Sequence, residues 1–279
     1  GAARPPPTRS ITVKRHNQAL LALAVLLVMA GHASAADPSP DTVVGRALSA
    51  AEADSTLAGH DLIRATIHQE ETTSDGKSHV QDLTALVYGE TLDSIRLELG
   101  NGVSLALNGT VGWATIRGRV DDRPQTPLMS AGTIRQTLFP LLLPYSLRFE
   151  GVKLGSVSQD DFDGTPVWVL LVDFEQNFFA SPAMASTWRV FIDRETNLVL
   201  GTEFIPPLEY QKVANEGGRY RYLKHETVDG LVFPIHVLLD GIDLNGIENG
   251  HVRVTKLSFS SIETFDPTVF MRPDILEQE

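Results

Sequence analysis

The chain has 279 residues, with 35 acidic and 23 basic side chains, a formal net charge of −12 and no cysteine. An acidic balance is wrong for a nucleic-acid or anionic-membrane binder. The lack of cysteine excludes a disulfide scaffold, a thiol nucleophile and lipid attachment through a thioether.

Residues 1–35 read as a secretory signal. Lys14-Arg15 is a basic leader, Ala19–Ala30 an apolar run and Ala33-Ser34-Ala35 a small-residue cleavage site. The apolar run is short for a membrane span, and Gly31-His32 follows it directly; an uncleaved anchor is the alternative. Cleavage after Ala35 removes Arg4, Arg9, Lys14 and Arg15 and no acid, leaving 19 basic against 35 acidic groups, a formal charge of −16 over 244 residues. The expected location is the periplasm. Residues 36–279 are enough for an ordinary core in one domain.

Asp41 is a candidate cap for a helix from Thr42 to about Ala53, whose Val43, Val44, Ala47, Leu48 and Ala51 form one apolar stripe. Short strands follow, joined by Asx-Gly turns. They are Leu62–Glu71, His79–Tyr88, Ser94–Leu99, Val103–Leu107 and Val111–Ile116. This spacing predicts an antiparallel meander and not βαβ units. Arg117–Met129 reads as a loop, and Ser130 as the cap of a second helix ending at Pro140. Sheet resumes at Leu147–Val157, turns at Asp160–Gly164 and continues over Val167–Phe174, where both faces are apolar.

Asn177–Thr187 carries Phe178-Phe179 in what reads as a loop. It either folds back on the sheet or forms an apolar flap at a cavity mouth. Two hairpins follow. Trp188–Ile192 and Leu198–Phe204 flank Asp193–Asn197; Arg219–Thr227 and Leu231–Leu239 flank Val228-Asp229-Gly230. Asp240–Gly250 reads as a loop, His251–Ser260 as a strand with a bulge near Thr255-Lys256, and Ile262–Glu279 as an irregular tail. The pattern predicts an α+β fold of eleven or twelve strands and two principal helices.

No catalytic pattern appears. His225-Glu226 lacks the second histidine of a zinc-protease helix and lies on a strand before a turn, where exposed polar residues are expected. Asp240, Asp243, Glu248 and His251 gather around one loop, but their spacing matches no calcium loop. There is no nucleophile elbow, phosphate loop or dinucleotide fingerprint. The expectation is no enzyme, no metal and no cofactor.

Several segments together resemble the LolA-like superfamily, which includes outer-membrane lipoprotein-sorting proteins. They are Val87-Tyr88-Gly89, Asn108-Gly109-Thr110-Val111-Gly112-Trp113, Asp163–Trp168, Phe191-Ile192-Asp193 with Thr196–Val199, Val228–Pro234 and Phe265–Phe270. The resemblance implies a strongly curved antiparallel half-barrel of about eleven strands whose concave face is covered by helices and takes acyl chains. It implies a periplasmic carrier or binding protein for a hydrophobic acylated ligand, a lipid or lipoprotein. Inner- or outer-membrane proteins are the further partners, with no nucleic acid, no membrane span after cleavage and a monomeric state. A non-enzymatic interaction or sensor module on the same fold is the alternative. Strand parity nominates Leu105, Leu107, Trp113, Trp168, Leu170, Val190 and Ile192 as cavity wall. Val44, Leu48, Ile134 and Leu138 are nominated as lid, with Phe178 and Phe179 at the mouth.

Overall fold

Alternating strands and Asx-Gly turns produce a single antiparallel sheet. The computed structural model describes residues 37–52, 55–89, 92–211, 216–262 and 265–273; the expected signal, residues 1–35, lies outside them. Pro38–Glu279 form one compact unit.

The strands are β1 (Leu62–Thr72), β2 (Ser78–Tyr88), β3 (Ser94–Glu98), β4 (Val103–Asn108), β5 (Val111–Ile116) and β6 (Arg119–Val120) in the first half. The second half has β7 (Val152–Phe162), β8 (Thr165–Phe174), β9 (Trp188–Asp193), β10 (Val199–Phe204), β11 (Gly217–Val228), β12 (Leu231–Ile242) and β13 (Glu248–Ile262). Their order in space is β6-β5-β4-β3-β2-β1-β13-β12-β11-β10-β9-β8-β7. Two meanders run outward from a central seam made by the first long strand and the last, β1 against β13. The described strands number thirteen, against the eleven or twelve expected. The extra one is the two-residue edge strand β6, inside the stretch read as a loop.

At about 4.8 Å per strand, a flat sheet of this order would be roughly 60 Å wide. Yet Leu105 on β4 and Leu170 on β8 belong to one continuous core. The sheet must therefore curl, so that one face becomes the interior. On that inner face lie Ile63, Ala65 and Ile67 of β1, Leu257 and Phe259 of β13, and Trp188, Val190 and Ile192 of β9.

Two helices cover this face. Helix α1 (Pro40–Ala51) is capped by Ser39, not Asp41: the Ser39 hydroxyl accepts from the Thr42 amide at 3.2 Å. Pro40 takes the first helical position, where its missing N–H is no loss. All five stripe residues, Val43, Val44, Ala47, Leu48 and Ala51, are buried, and the helix lies against β7, β8 and β12. Helix α2 (Thr126–Leu138) starts four residues before the expected Ser130. Pro127 is tolerated in its first turn for the same reason.

The connection from one edge of the sheet, β6, to the other, β7, carries α2 and then a buried turn with Leu141, Leu142, Leu143 and Tyr145. Leu147 therefore belongs to a 3₁₀ turn, Tyr145–Arg148, and the strand expected from Leu147 begins at Val152. It then runs through Phe162, so the turn narrows to Asp163-Gly164, both at positive φ. The bulge expected near Thr255-Lys256 is absent. The register against β1 is continuous there, and Arg253, Thr255, Leu257 and Phe259 share the inner face. The irregularity lies at Asp240–Ile242, where β12 meets β13. Within the tail, residues 265–273 form a strap on the outer face. The Trp113 indole N–H donates to the Phe270 carbonyl at 3.1 Å, and Arg96 donates to the Val269 carbonyl at 3.3 Å.

Candidate functional site

The candidate site is the inner face and what fills it. Six of the seven nominated wall residues face inward: Leu105, Leu107, Leu170, Val190 and Ile192 lie in the core, and Trp168 packs at its margin. Trp113 does not. Leu105 pairs with Ala114 and Leu107 with Gly112, so Trp113, opposite Ala106, points to the outer face under the strap. Gly112 and Ala114 hold the inward positions on β5. Trp168 is half-buried, with the Arg194 guanidinium 4.7 Å above its ring centroid.

The nominated lid residues Val44, Leu48, Ile134 and Leu138 are all buried in this core. Phe178 and Phe179 are buried as well, so the segment folds back on the sheet and is not an open flap. They join Phe139, Phe174 and Trp188 in an aromatic cluster. Phe139 meets Trp188 edge-on at 5.3 Å between centroids, and Phe179 stacks on Trp188 at 5.5 Å. Phe139 and Trp188 escaped the nomination. Trp188 was visible as an inward strand position two residues before Val190. Phe139 follows a helix C-terminus, where no periodicity reports its direction.

Helix α2 is wedged in place by two glycines. A Cβ at Gly112 would lie 2.2 Å from the Pro127 carbonyl oxygen, and one at Gly132 would lie 2.3 Å from the Ala180 amide nitrogen. Its N-cap position, Gln125, makes no side-chain cap bond, and its Thr133, Gln136 and Thr137 are only half-buried. Beside its first turns is an open recess of about 410 Å³ walled by Leu99, Val103, Leu105, Ala114 and Met129. Past its last turn is a second cleft, of about 240 Å³. It has an apolar wall of Met184, Phe204 and Leu239 and a polar wall of Gln69, His251 and Arg253.

The inner face thus changes character along the strands. From Ile63 to Ile67 β1 is apolar; at Glu71 it becomes charged. Glu71 hydrogen-bonds Arg253 at 2.6 Å and His251 at 2.7 Å. Burial pushes this carboxyl up, but the two bonds outweigh it and hold it below the usual range. Tyr222 donates to the Pro140 carbonyl, and burial raises its phenol well above the ordinary value. His225 is half-buried rather than exposed, and burial lowers its basicity.

Among the described residues, no three His, Asp or Glu side chains gather as metal ligands. Of the loop cluster considered above, Asp240 and Glu248 both bind Arg221, Asp243 caps its own turn, and His251 holds Glu71 and Glu216. No helix among those residues is long and apolar enough to cross a membrane.

No family model matches the sequence, and no curated protein matches it. Solved structures do match in fold. A LolA superfamily protein from Nitrosomonas europaea superposes with a TM-score of 0.57 at 10% identity, over 85% of this chain and 100% of that one. An outer membrane lipoprotein-sorting protein domain, so described, from Vibrio parahaemolyticus gives 0.56 at 11% identity, over 85% and 99%. A DUF1329 family protein from Desulfovibrio piger gives 0.55 at 10%, again over 85% and 99%. An open antiparallel sheet, curled around two helices and closed at its centre by its first and last long strands, is thus the LolA-like fold.

Proposed function

We propose that this chain holds or carries a hydrophobic acylated ligand, a lipid or the acylated end of a lipoprotein, in the cell envelope. The observation that supports this most is the inner face itself: an apolar surface spanning most of a thirteen-strand sheet, roofed by a helix without a side-chain cap. Each methylene moved from water onto such a surface gains roughly 0.8 kcal/mol. No energy source inside the protein is required. The LolA-like fold supports the same reading, and the signal-like leader fits a location in the periplasm; the carrier reading adds membrane proteins as donors or acceptors.

In this structure the interior is filled by its own side chains. A ligand then enters by displacing α2 from the recess beside Leu105 and Met129, exchanging one set of apolar contacts for another. The filled interior also favours a second reading, an interaction or sensor module with no transported ligand. Mass spectrometry of an organic extract of the natively purified protein separates the two. A carrier yields acylated species in near-stoichiometric amount. An empty extract, together with no binding of fluorescent fatty-acid probes, leaves the interaction module standing.

A further inference from the structure

Arg135 projects from α2 into a half-enclosed pocket of about 190 Å³. The pocket is walled by Leu92, Ile95, Leu107 and Phe149, all members of the core, and by a second guanidinium, Arg148. Arg148 is tied to Glu52 at 3.1 Å. Arg135 has no such tie: its guanidinium carbon lies 5.0 Å from the centroid of the Phe178 ring. Among the described residues, no carboxylate lies within ion-pair distance of it. Burial disfavours its charged form, and Glu150 and Glu175 counter this only from a distance.

A half-buried cation without an ion-pair contact carries a desolvation cost that distant charges offset only in part. A cation–π contact offsets little of that cost, and a methionine of similar length would keep the contact with Phe178 without it. The pocket's acids are Asp93 and Glu150; Asp93 accepts from Ser94 at 3.1 Å, and Glu150 is exposed. Neither neutralises Arg135 by contact.

We propose that Arg135 anchors an oxyanion, a carboxylate or phosphate, at the head of the acylated ligand, with Arg148 as the neighbouring donor. The inference rests on the carrier reading above and specifies its ligand: an amphiphile with an acidic head. The pocket is too small for a whole chain, but its Leu107 and Ile95 walls are continuous with the inner face, so a tail leaving the head meets apolar surface at once.

The test compares dodecanoate with dodecanol, each competing for an apolar fluorescent probe on the intact protein. A charge-assisted hydrogen bond contributes about 1.5–3 kcal/mol, on the order of tenfold or more in affinity. Arg135→Met should lose about that factor for dodecanoate, change little for dodecanol, and melt at the same or a higher temperature. Arg46→Met, an exposed charge on α1, should leave both affinities as they are. If Arg135→Met weakens both ligands equally and lowers the melting temperature, the residue is structural and the anchor is refuted. Equal dodecanoate affinity in both proteins refutes it too, while the carrier reading stands. If neither compound binds the unaltered protein, the carrier reading falls and takes the anchor with it. Inorganic phosphate binding alone, with dependence on Arg135 and no dodecanoate preference, would assign the pocket to a free anion and overturn the headgroup assignment.

Discussion

Glu71 marks the residue at which the inner face stops being interior. Its carboxylate is held by Arg253 and His251, and the pair of bonds keeps it ionised below its ordinary range against the pull of burial. A carboxyl with a depressed folded-state pKa contributes stability that is present above the unfolded value and lost as pH falls through the folded one. The protein should therefore lose its advantage over a Glu71→Gln variant as pH drops below about 4.5, the ordinary glutamate value. Melting curves of the two proteins from pH 7 to pH 3 check this. A gap that stays constant over the range would show that the carboxylate is not held as described. At this scale the turn formers were legible, because Asp163-Gly164 and Asp229-Gly230 need positive φ and little else. Trp113 was not. A bulky indole reads as interior, yet parity against Leu105 and Leu107 sends it outward, where a carbonyl of the tail satisfies its N–H. Nothing near it in sequence announces that the tail will return to cover it.

Among the elements, α2 is the one whose placement rests on missing side chains. Gly112 lets it approach β5, and Gly132 lets the segment at Phe179-Ala180 approach it from the other side. Gly132→Ala would set a methyl against the Ala180 amide and must push the two apart. Overpacking of this kind costs about 1–3 kcal/mol, read as a lowered melting temperature. Because the displaced contact is the roof of the interior, an apolar probe should also bind faster. A variant that melts as the parent does would mean that α2 is not clamped there. The helix itself was legible only in part. Its apolar positions Ile134 and Leu138 gave its second half, but its start was hidden by Pro127, which reads as a breaker and here sits in the first turn. Helix α1 was the reverse: its stripe was clear, but it starts at Pro40 and not Thr42, with Ser39 as its cap, and its last residue is Ala51, the expected end at Ala53 lying outside the described residues.

For the whole unit, Pro38–Glu279, the hairpins were visible in the sequence but the seam was not. Pairing β1 with β13 joins Leu62 to Ile262 across two hundred residues, and no local pattern encodes a partner at that distance. The same seam brings the two meanders into one sheet and makes a shared inner face possible, so the wall residues could be nominated strand by strand but not assembled. Whether the face is empty or filled depends on volumes that periodicity does not report. Leu141, Leu142, Leu143, Phe139 and Phe178 fill it here.

On the carrier reading an acyl chain lies against the inner face and not the outer. Three tryptophans are placed to report it: Trp188 inside the core, Trp168 at its margin and Trp113 beneath the outer strap. With Trp168 replaced by phenylalanine, and then either Trp113 or Trp188 as well, two proteins remain with one indole each. Quenching by a bromine-labelled fatty acid depends on contact. A chain on the inner face should give strong, saturable quenching of Trp188 and none beyond the free-solution level for Trp113. Equal quenching of both, or quenching of Trp113 alone, would contradict it.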